Sequence, residues 1–221
     1  MAWKTYIQPI LRITKSRRAA DSISTLALPP HVNIQKIAVA ENGATYVTGY
    51  KVTQSDQAIK PEPGFAAIYN ADGRLISDLG AETPEYVAAM TRILDGDLIA
   101  GDDGRFYVLN DKEVRVVTQS GEIAKTWKIT KPQKDGIAMR IDESKGTVSV
   151  AVYAILKGNP GFANTSWPTA FLYNAQTGEP RGTYTFDTAL TGTIVCFNAQ
   201  DGYTLGSVDN SMKAFDIVPI R

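Results

Sequence analysis

The stretch FAAIYNADGRLISDLG, residues 65–80, decides how this chain is read, because its pattern returns twice. Residues 171–186 read FLYNAQTGEPRGTYTF and residues 114–129 read VRVVTQSGEIAKTWKI. Each runs from an apolar strand-forming stretch, through a polar residue and glycine, to a second strand-forming stretch, which is the pattern of a β-hairpin. The glycines extend the period along the chain: Gly43, Gly73, Gly96, Gly104, Gly121, Gly146, Gly178 and Gly202 each follow Asn, Asp, Ser, Lys or Thr. Such residues supply the positive φ that three-residue and primed two-residue hairpin turns need, so most of them are expected at hairpin tips.

A second kind of hairpin alternates with the first. KIAVAENGATYVTGY (36–50), DLIAGDDGRFYVLN (97–110), GIAMRIDESKGTVSVAVY (136–153) and GTIVCFNAQDGYTLGSV (192–208) carry small or branched residues before the turn. One hairpin of each kind makes four antiparallel strands, so residues 36–80, 97–129 and 136–186 are each expected to form one sheet. A four-stranded unit recurring every ~40 to 55 residues is the signature of a β-propeller, whose blades stack around a channel. The expected fold is therefore all-β: a β-propeller built from four-stranded antiparallel blades, about four of them, in a closed or incomplete ring. A β-sandwich is the alternative, but it gives no reason for two alternating hairpin types. Small residues on the first strands, Ala38, Ala40, Ala100, Gly101 and Ala138, suit positions near the axis, where converging strands leave little room.

The chain has 221 residues, 43% hydrophobic and 21% charged, which fits one globular domain spanning residues 1–221. Its N-terminal stretch, residues 10–28, reads as a hairpin of the repeated kind without its companion. The C-terminal region, 192–221, reads as the other hairpin plus the strand MKAFDIVPI. Joined, the two would complete a further blade with one strand too many, removing exposed strand edges; the rival is an open ring. Residues 83–94, TPEYVAAMTRIL, fit either a short helix, with Thr83 as N-cap and Pro84 at the first position, or the first part of an extra hairpin, AAMTRILDGDLIAG, that turns at Gly96.

Charge excludes several classes of partner. Lys and Arg total 23 and Asp and Glu total 23, so no net field recruits nucleic acid or an anionic membrane. The basic cluster Lys15, Arg17 and Arg18 falls where a turn is expected and is read as a solvated turn. A single cysteine, Cys196, lies in an apolar run and is read as a buried small hydrophobe. The single histidine, His31, follows Pro29 and Pro30 and is read as a loop residue, leaving no histidine-rich metal site. No dinucleotide-binding glycine motif, P-loop, nucleophile elbow or EF-hand loop occurs, so no cofactor is expected. The N-terminal residues lack the apolar core of a secretory signal, and no run is long enough to span a membrane. The chain as written is thus read as soluble and cytoplasmic unless its start is truncated.

Acidic pairs are candidate metal ligands. Asp102 with Asp103, Asp142 with Glu143, and Asp201 are all read as turn residues before glycine in preference to calcium ligands. Interruptions of the repeat carry more information. Residues 53–64 and 156–168 are inserted between the two hairpins of their blocks, where the middle block has only a few residues. In a propeller both would project from one face as loops, and loops are where such scaffolds place function. Tyr50 and Tyr153 lead into the two insertions, and the second contains Phe162, Asn164 and Trp167. These five are the candidate ligand- or partner-binding residues, since aromatic side chains bury much area at little entropic cost. The bland alternative has Trp167 folding back over the blade edge. Asn164 also begins an NTS glycosylation sequon.

LIAGDDGRFYVLN, VRVVTQSGEIAKTWKI, YNAQTGEPRGTYTF and the closing GTIVCFNAQDGYTLGSVDNSMKAFDIVPIR together resemble uncharacterised bacterial proteins of the six-bladed YVTN/NHL-like propeller type. The resemblance spans most of the chain and implies the fold; it implies no activity and transfers no site residue. The functional expectation is a non-enzymatic propeller that binds a protein or other ligand through the face carrying residues 53–64 and 156–168. An alternative is a propeller hydrolase or lyase with a metal or carboxylate site at the channel mouth. A structural fragment whose exposed blade edge pairs with another chain is the third reading.

Overall fold

The computed structural model describes residues 10–15, 22–55, 58–80, 96–110, 112–129, 137–153, 169–185, 194–198, 203–207 and 215–219. Residues 83–94, for which helix and hairpin were both open, lie outside that set, as do Phe162, Asn164, Trp167 and Asp201. The seventeen elements in the described residues are all strands. No helix among them is long and apolar enough to cross a membrane. The chain divides into two compact units, Met1–Ile93 with Thr118–Glu122, and Leu94–Val117 with Ile123–Arg221.

In the first unit β1 (Ile10–Lys15) and β2 (Ser22–Ala27) pair as a two-stranded sheet. β3 (Val32–Val39), β4 (Thr45–Ser55), β5 (Ala58–Tyr69) and β6 (Leu75–Asp78) form a four-stranded antiparallel sheet in sequence order. Its core is a face shared with the end of β2: Leu26 and Leu28 pack with Val47, Phe65, Ala67 and Tyr69, all under 4% exposed. Pairing explains the grouping, because Val47 lies opposite Ala67, Thr45 opposite Tyr69 and Gly49 opposite Phe65, which puts them on one face of the pleat. Each such side chain contributes on the order of 1.5 to 3 kcal/mol by leaving water.

In the second unit β7 (Asp97–Ala100), β8 (Phe106–Leu109), β9 (Glu113–Val117) and β10 (Ile123–Lys128) form another four-stranded antiparallel sheet. β11 (Ile137–Ser144), β12 (Thr147–Tyr153), β13 (Thr169–Asn174) and β14 (Pro180–Thr185) form the third. β15 (Ile194–Asn198), β16 (Tyr203–Ser207) and β17 (Phe215–Pro219) make a three-stranded sheet. The three four-stranded sheets coincide with the three blocks read from the hairpin repeat. Two of them pack face to face: Tyr107, Leu109, Val114 and Val116 meet Val148, Val150 and Phe171 in one continuous core. Alternation places them there, since Tyr107 pairs with Val116 and Leu109 with Val114, while Val148 pairs with Tyr173 and Val150 with Phe171. All four residues of β8 are buried, whereas the outer strand β10 is mostly exposed. That gradient is what a stack of sheets gives: inner strands are covered on both faces and the last strand meets solvent.

Two devices recur in every four-stranded sheet. The first is the tip: Gly43, Gly73, Gly104, Gly121, Gly146 and Gly178, two to a sheet, all have φ between 73° and 92°. Asparagine side chains brace the tips from within, because Asn70 Oδ1 accepts from the amides of Asp72 and Arg74, and Asn174 Oδ1 from those of Gln176 and Thr177. The second is a bulge on each outer strand, where Ile76, Ala124 and Arg181 are the extra residues. First strands β3, β11 and β15 carry a bulge as well, at Gln35, Met139 and Val195. A bulged outer strand bends away from a straight pairing template, which blunts the edge against further strand addition.

One expectation changes form. Residues 53–64 were read as a loop, yet β4 and β5 stay paired from Val52 opposite Pro61 out to Ser55 opposite Ala58. β3 ends opposite Lys51 and β6 opposite Ala67, so the segment is a two-stranded extension of its sheet among the described residues. Val52, Thr53, Ile59 and the prolines at 61 and 63 account for this: branched residues favour the ladder, and proline is tolerated on a strand with a free side.

Candidate functional site

Tyr50 sits in β4 opposite Asn33 and Gly64, and Tyr153 ends β12 opposite Ile137. Both occupy the same place in the repeat. Thr45 pairs with Tyr69 and Val148 with Tyr173, the tyrosines of the two YNA turns, and Tyr50 and Tyr153 lie equally far along from those pairs. Each is in its own compact unit, at the point where its sheet's second strand passes into the interrupted connection. In the β7–β10 sheet that connection is only residues 110–112.

The acidic residues resolve differently from one another. Asp102 and Asp103 stand in the β7–β8 turn, closed by the Gly101 and Gly104 amides on the Arg105 and Gly101 carbonyls, as the turn reading required. Asp142 and Glu143 are not turn residues. They lie in β11, whose hairpin is closed by Lys145 and Gly146 alone, both with positive φ of 50° and 77°. This two-residue primed turn matches the twist of its strands and leaves Glu143 inside the ladder, opposite Val148.

Glu143 is only 5% exposed. Its Oε2 accepts from the Asp102 amide at 2.7 Å and its Oε1 from the Gly146 amide at 2.9 Å. Two residues before Glu143, the Ile141 amide of β11 donates to Oδ2 of Asp97, the first residue of β7, at 3.1 Å. Two carboxylates thus clasp β7 to β11 reciprocally, each reaching across to the other's backbone. The glycine at 101 is explained by this clasp, because a Cβ there would lie 2.5 Å from Glu143 Oε2 and 2.6 Å from the Tyr107 ring. Tyr107 donates its hydroxyl to Asp103 Oδ2 at 2.9 Å, and Arg105 Nε stands 3.6 Å from the same oxygen.

Burial sets the electrostatics. Loss of water around Glu143, and secondarily the charges of Asp103 and Asp102, push its carboxyl above the ordinary range, while the two amides pull in the other direction. Tyr107 is raised far above an ordinary phenol, first by burial, then by its hydrogen bond to Asp103 and the neighbouring carboxylates. Among the described residues no group of three or more His, Cys, Asp and Glu side chains could hold a metal ion. Of the acidic residues read as turn residues, Asp102, Asp103 and Glu143 are engaged with backbone amides, hydroxyls and an arginine, and Asp201 lies outside the described residues. Sequence reading missed the clasp, although one signal was there: strand alternation puts Glu143 on the same face as Ile141, hence inward.

No family model matches the chain, and no curated protein matches it. Among solved structures it is similar to a protein of unknown function from Bacteroides caccae, at 14% identity and a TM-score of 0.45, over 88% of this chain and 66% of that one. It is also similar to a glycoside hydrolase, at 12% identity and a TM-score of 0.32, over 77% of this chain and 51% of that one. The chain therefore spans just under two thirds of the first and about half of the second.

Proposed function

We propose that the chain is a non-enzymatic β-propeller scaffold of the YVTN/NHL-like type, which binds a protein or other ligand through the connections between second and third strands. The observation that carries this is where the repeat varies. Glycine tips and outer-strand bulges recur, but the second-to-third connection changes from residues 110–112 in one sheet to a strand extension over 52–61 in another and to residues 154–168 in the third. Repeat scaffolds keep constant what packs and vary what contacts a partner. Tyr50 and Tyr153 mark the exits into the two long connections, and Phe162, Asn164 and Trp167 lie within the second.

The test uses the whole chain as bait beside a variant with residues 52–61 replaced by a two-residue turn and 156–168 by a short glycine-serine linker. Thermal melts of both come first. Expected is a variant that folds cooperatively and no longer retains a ligand or protein that the unaltered chain retains. Equal retention by both would sink the assignment of binding to these connections.

A further inference from the structure

The β3–β4 turn holds the single Asn-Gly step in the sequence, Asn42–Gly43. In such a step the glycine amide nitrogen can attack the asparagine side chain, because no Cβ on the glycine hinders its approach. Here the folded turn restrains both reacting groups. Gly43 N–H donates to the Ala40 carbonyl at 2.9 Å, and the Thr45 hydroxyl donates to the Gly43 carbonyl at 3.2 Å. Asn42 Oδ1 accepts from the Ala44 amide at 3.1 Å. Its other partner is remote in sequence: Asn42 Nδ2 donates to Gln119 Oε1 at 2.8 Å, and Gln119 Nε2 donates back to Oδ1 at 3.3 Å. Gln119 belongs to Thr118–Glu122, a segment of the same compact unit as Asn42. That segment is also seated against β6, since a Cβ on Gly121 would stand 2.3 Å from Ser77 Oγ. Asn42 is exposed, so water reaches it.

We propose that Asn42 is a site of spontaneous covalent modification, a deamidation gated by its side-chain pair with Gln119. In the closed turn the Gly43 N–H is committed to Ala40 and the Asn42 amide to Gln119, so attack waits for the turn to open. Once it opens, the Gly43 nitrogen bonds to Asn42 Cγ and gives up its proton. The Cγ–Nδ2 bond breaks, and ammonia leaves with that proton, giving a five-membered imide. Water then adds to the imide. Cleavage of its Cγ–N bond leaves aspartate; cleavage between the Asn42 carbonyl carbon and that nitrogen leaves isoaspartate, with one more carbon in the backbone. Nothing is oxidised or reduced. Both products lack the Nδ2 donor, so the pair with Gln119 cannot re-form with both of its bonds, and a negative charge now stands beside Glu41. Opening of this turn is reversible before the reaction and biased open after it. Asn70 and Asn174 brace their turns through the same kind of side-chain acceptor but precede alanine, whose methyl group hinders attack.

Peptide mapping by mass spectrometry follows the exchange of amide for carboxyl during incubation at mildly alkaline pH. Three samples are compared: the full chain, the full chain with Gln119→Ala, and a synthetic peptide of residues 36–50 as the unfolded reference. Expected in the full chain is conversion at Asn42 but not at Asn70 or Asn174. Its rate should fall below that of the peptide by roughly five- to a hundredfold, because two hydrogen bonds must break first. Gln119→Ala, at an exposed turn where the fold tolerates it, should speed conversion roughly two- to tenfold. Asn42→Asp stands in for the aspartate product. In hydrogen exchange it should lower protection at the Gly121 and Glu122 amides, which bond to Thr118 in the segment Gln119 anchors, as Gln119→Ala does. Conversion of the full chain as fast as the peptide, or a rate that Gln119→Ala leaves unchanged, overturns the gate. A peptide that converts beside full chains that never do overturns the site. Unchanged protection in Asn42→Asp overturns the bias toward the open turn.

Discussion

Replacing Gly73 by alanine, beside Gly146→Ala, separates backbone strain from close packing. Both glycines end hairpin turns in nearly the same conformation, with φ of 81° and 77°. An alanine at either position meets the same left-handed penalty, on the order of 1 to 2 kcal/mol. Their surroundings differ. A Cβ on Gly146 would find nothing within 4 Å, whereas one on Gly73 would lie 2.2 Å from the Thr25 carbonyl oxygen and 3.1 Å from its carbon. That atom belongs to the backbone of β2, so no side chain can swing aside; the β5–β6 turn or the β1–β2 hairpin has to move. Overpacking of this kind costs a further ~1 to 3 kcal/mol. Gly73→Ala should therefore lose ~2 to 5 kcal/mol and Gly146→Ala ~1 to 2. For a chain of this length each kcal/mol lowers the melting temperature by about 2 to 4 °C. Urea and thermal melts followed by far-ultraviolet circular dichroism measure both. Equal losses in the two variants would refute the reasoning and mean that β2 does not pack on the β5–β6 turn.

Three further outcomes are expected. Tyr107→Phe should cost only about 1 kcal/mol in a urea melt, because the Asp103 carboxylate it leaves is 35% exposed and water replaces the lost donor. Trp127 packs against Tyr173 with ring centroids 6.2 Å apart, and its indole nitrogen has no hydrogen-bond partner among the described residues. Trp127→Ala should then cost ~3 to 5 kcal/mol, but Trp127→Phe clearly less, as it removes an unsatisfied donor along with some area; equal costs would mean the nitrogen is bonded after all. Tyr69 and Tyr107 both have raised phenol pKa values, burial being the first cause. Stability should be intact below the ordinary value of 10 and fall above it, with phenolate absorbance from these two appearing only as the chain unfolds; gradual ionisation of the folded protein would contradict their burial.

Much of the strand plan was open to reading because it is written in local chemistry. YNADG and YNAQTG state a turn twice over: asparagine supplies an acceptor for the amides ahead of it and glycine supplies the left-handed residue. Neither device needs a distant partner, so hairpins and their grouping into fours follow from residues within a few positions of one another. The stretch from 53 to 64 was harder. Two prolines suggest a loop, and only the ladder from Val52 to Ser55 shows that they fit a strand whose outer side is free.

Tertiary structure decided where the side chains with chemistry went. Asp102 and Glu143 are 41 positions apart in sequence, and nothing local brings the amide of one to the carboxylate of the other. That meeting comes from stacking the β7–β10 sheet on the β11–β14 sheet, driven by the apolar faces of Tyr107, Leu109, Val148 and Val150. Turn chemistry is set by atoms a few bonds apart and survives in any fold. A buried carboxylate's partners, its raised pKa and the missing Cβ at Gly101 exist only once two sheets have closed on one another and excluded water, and composition and spacing do not encode that step.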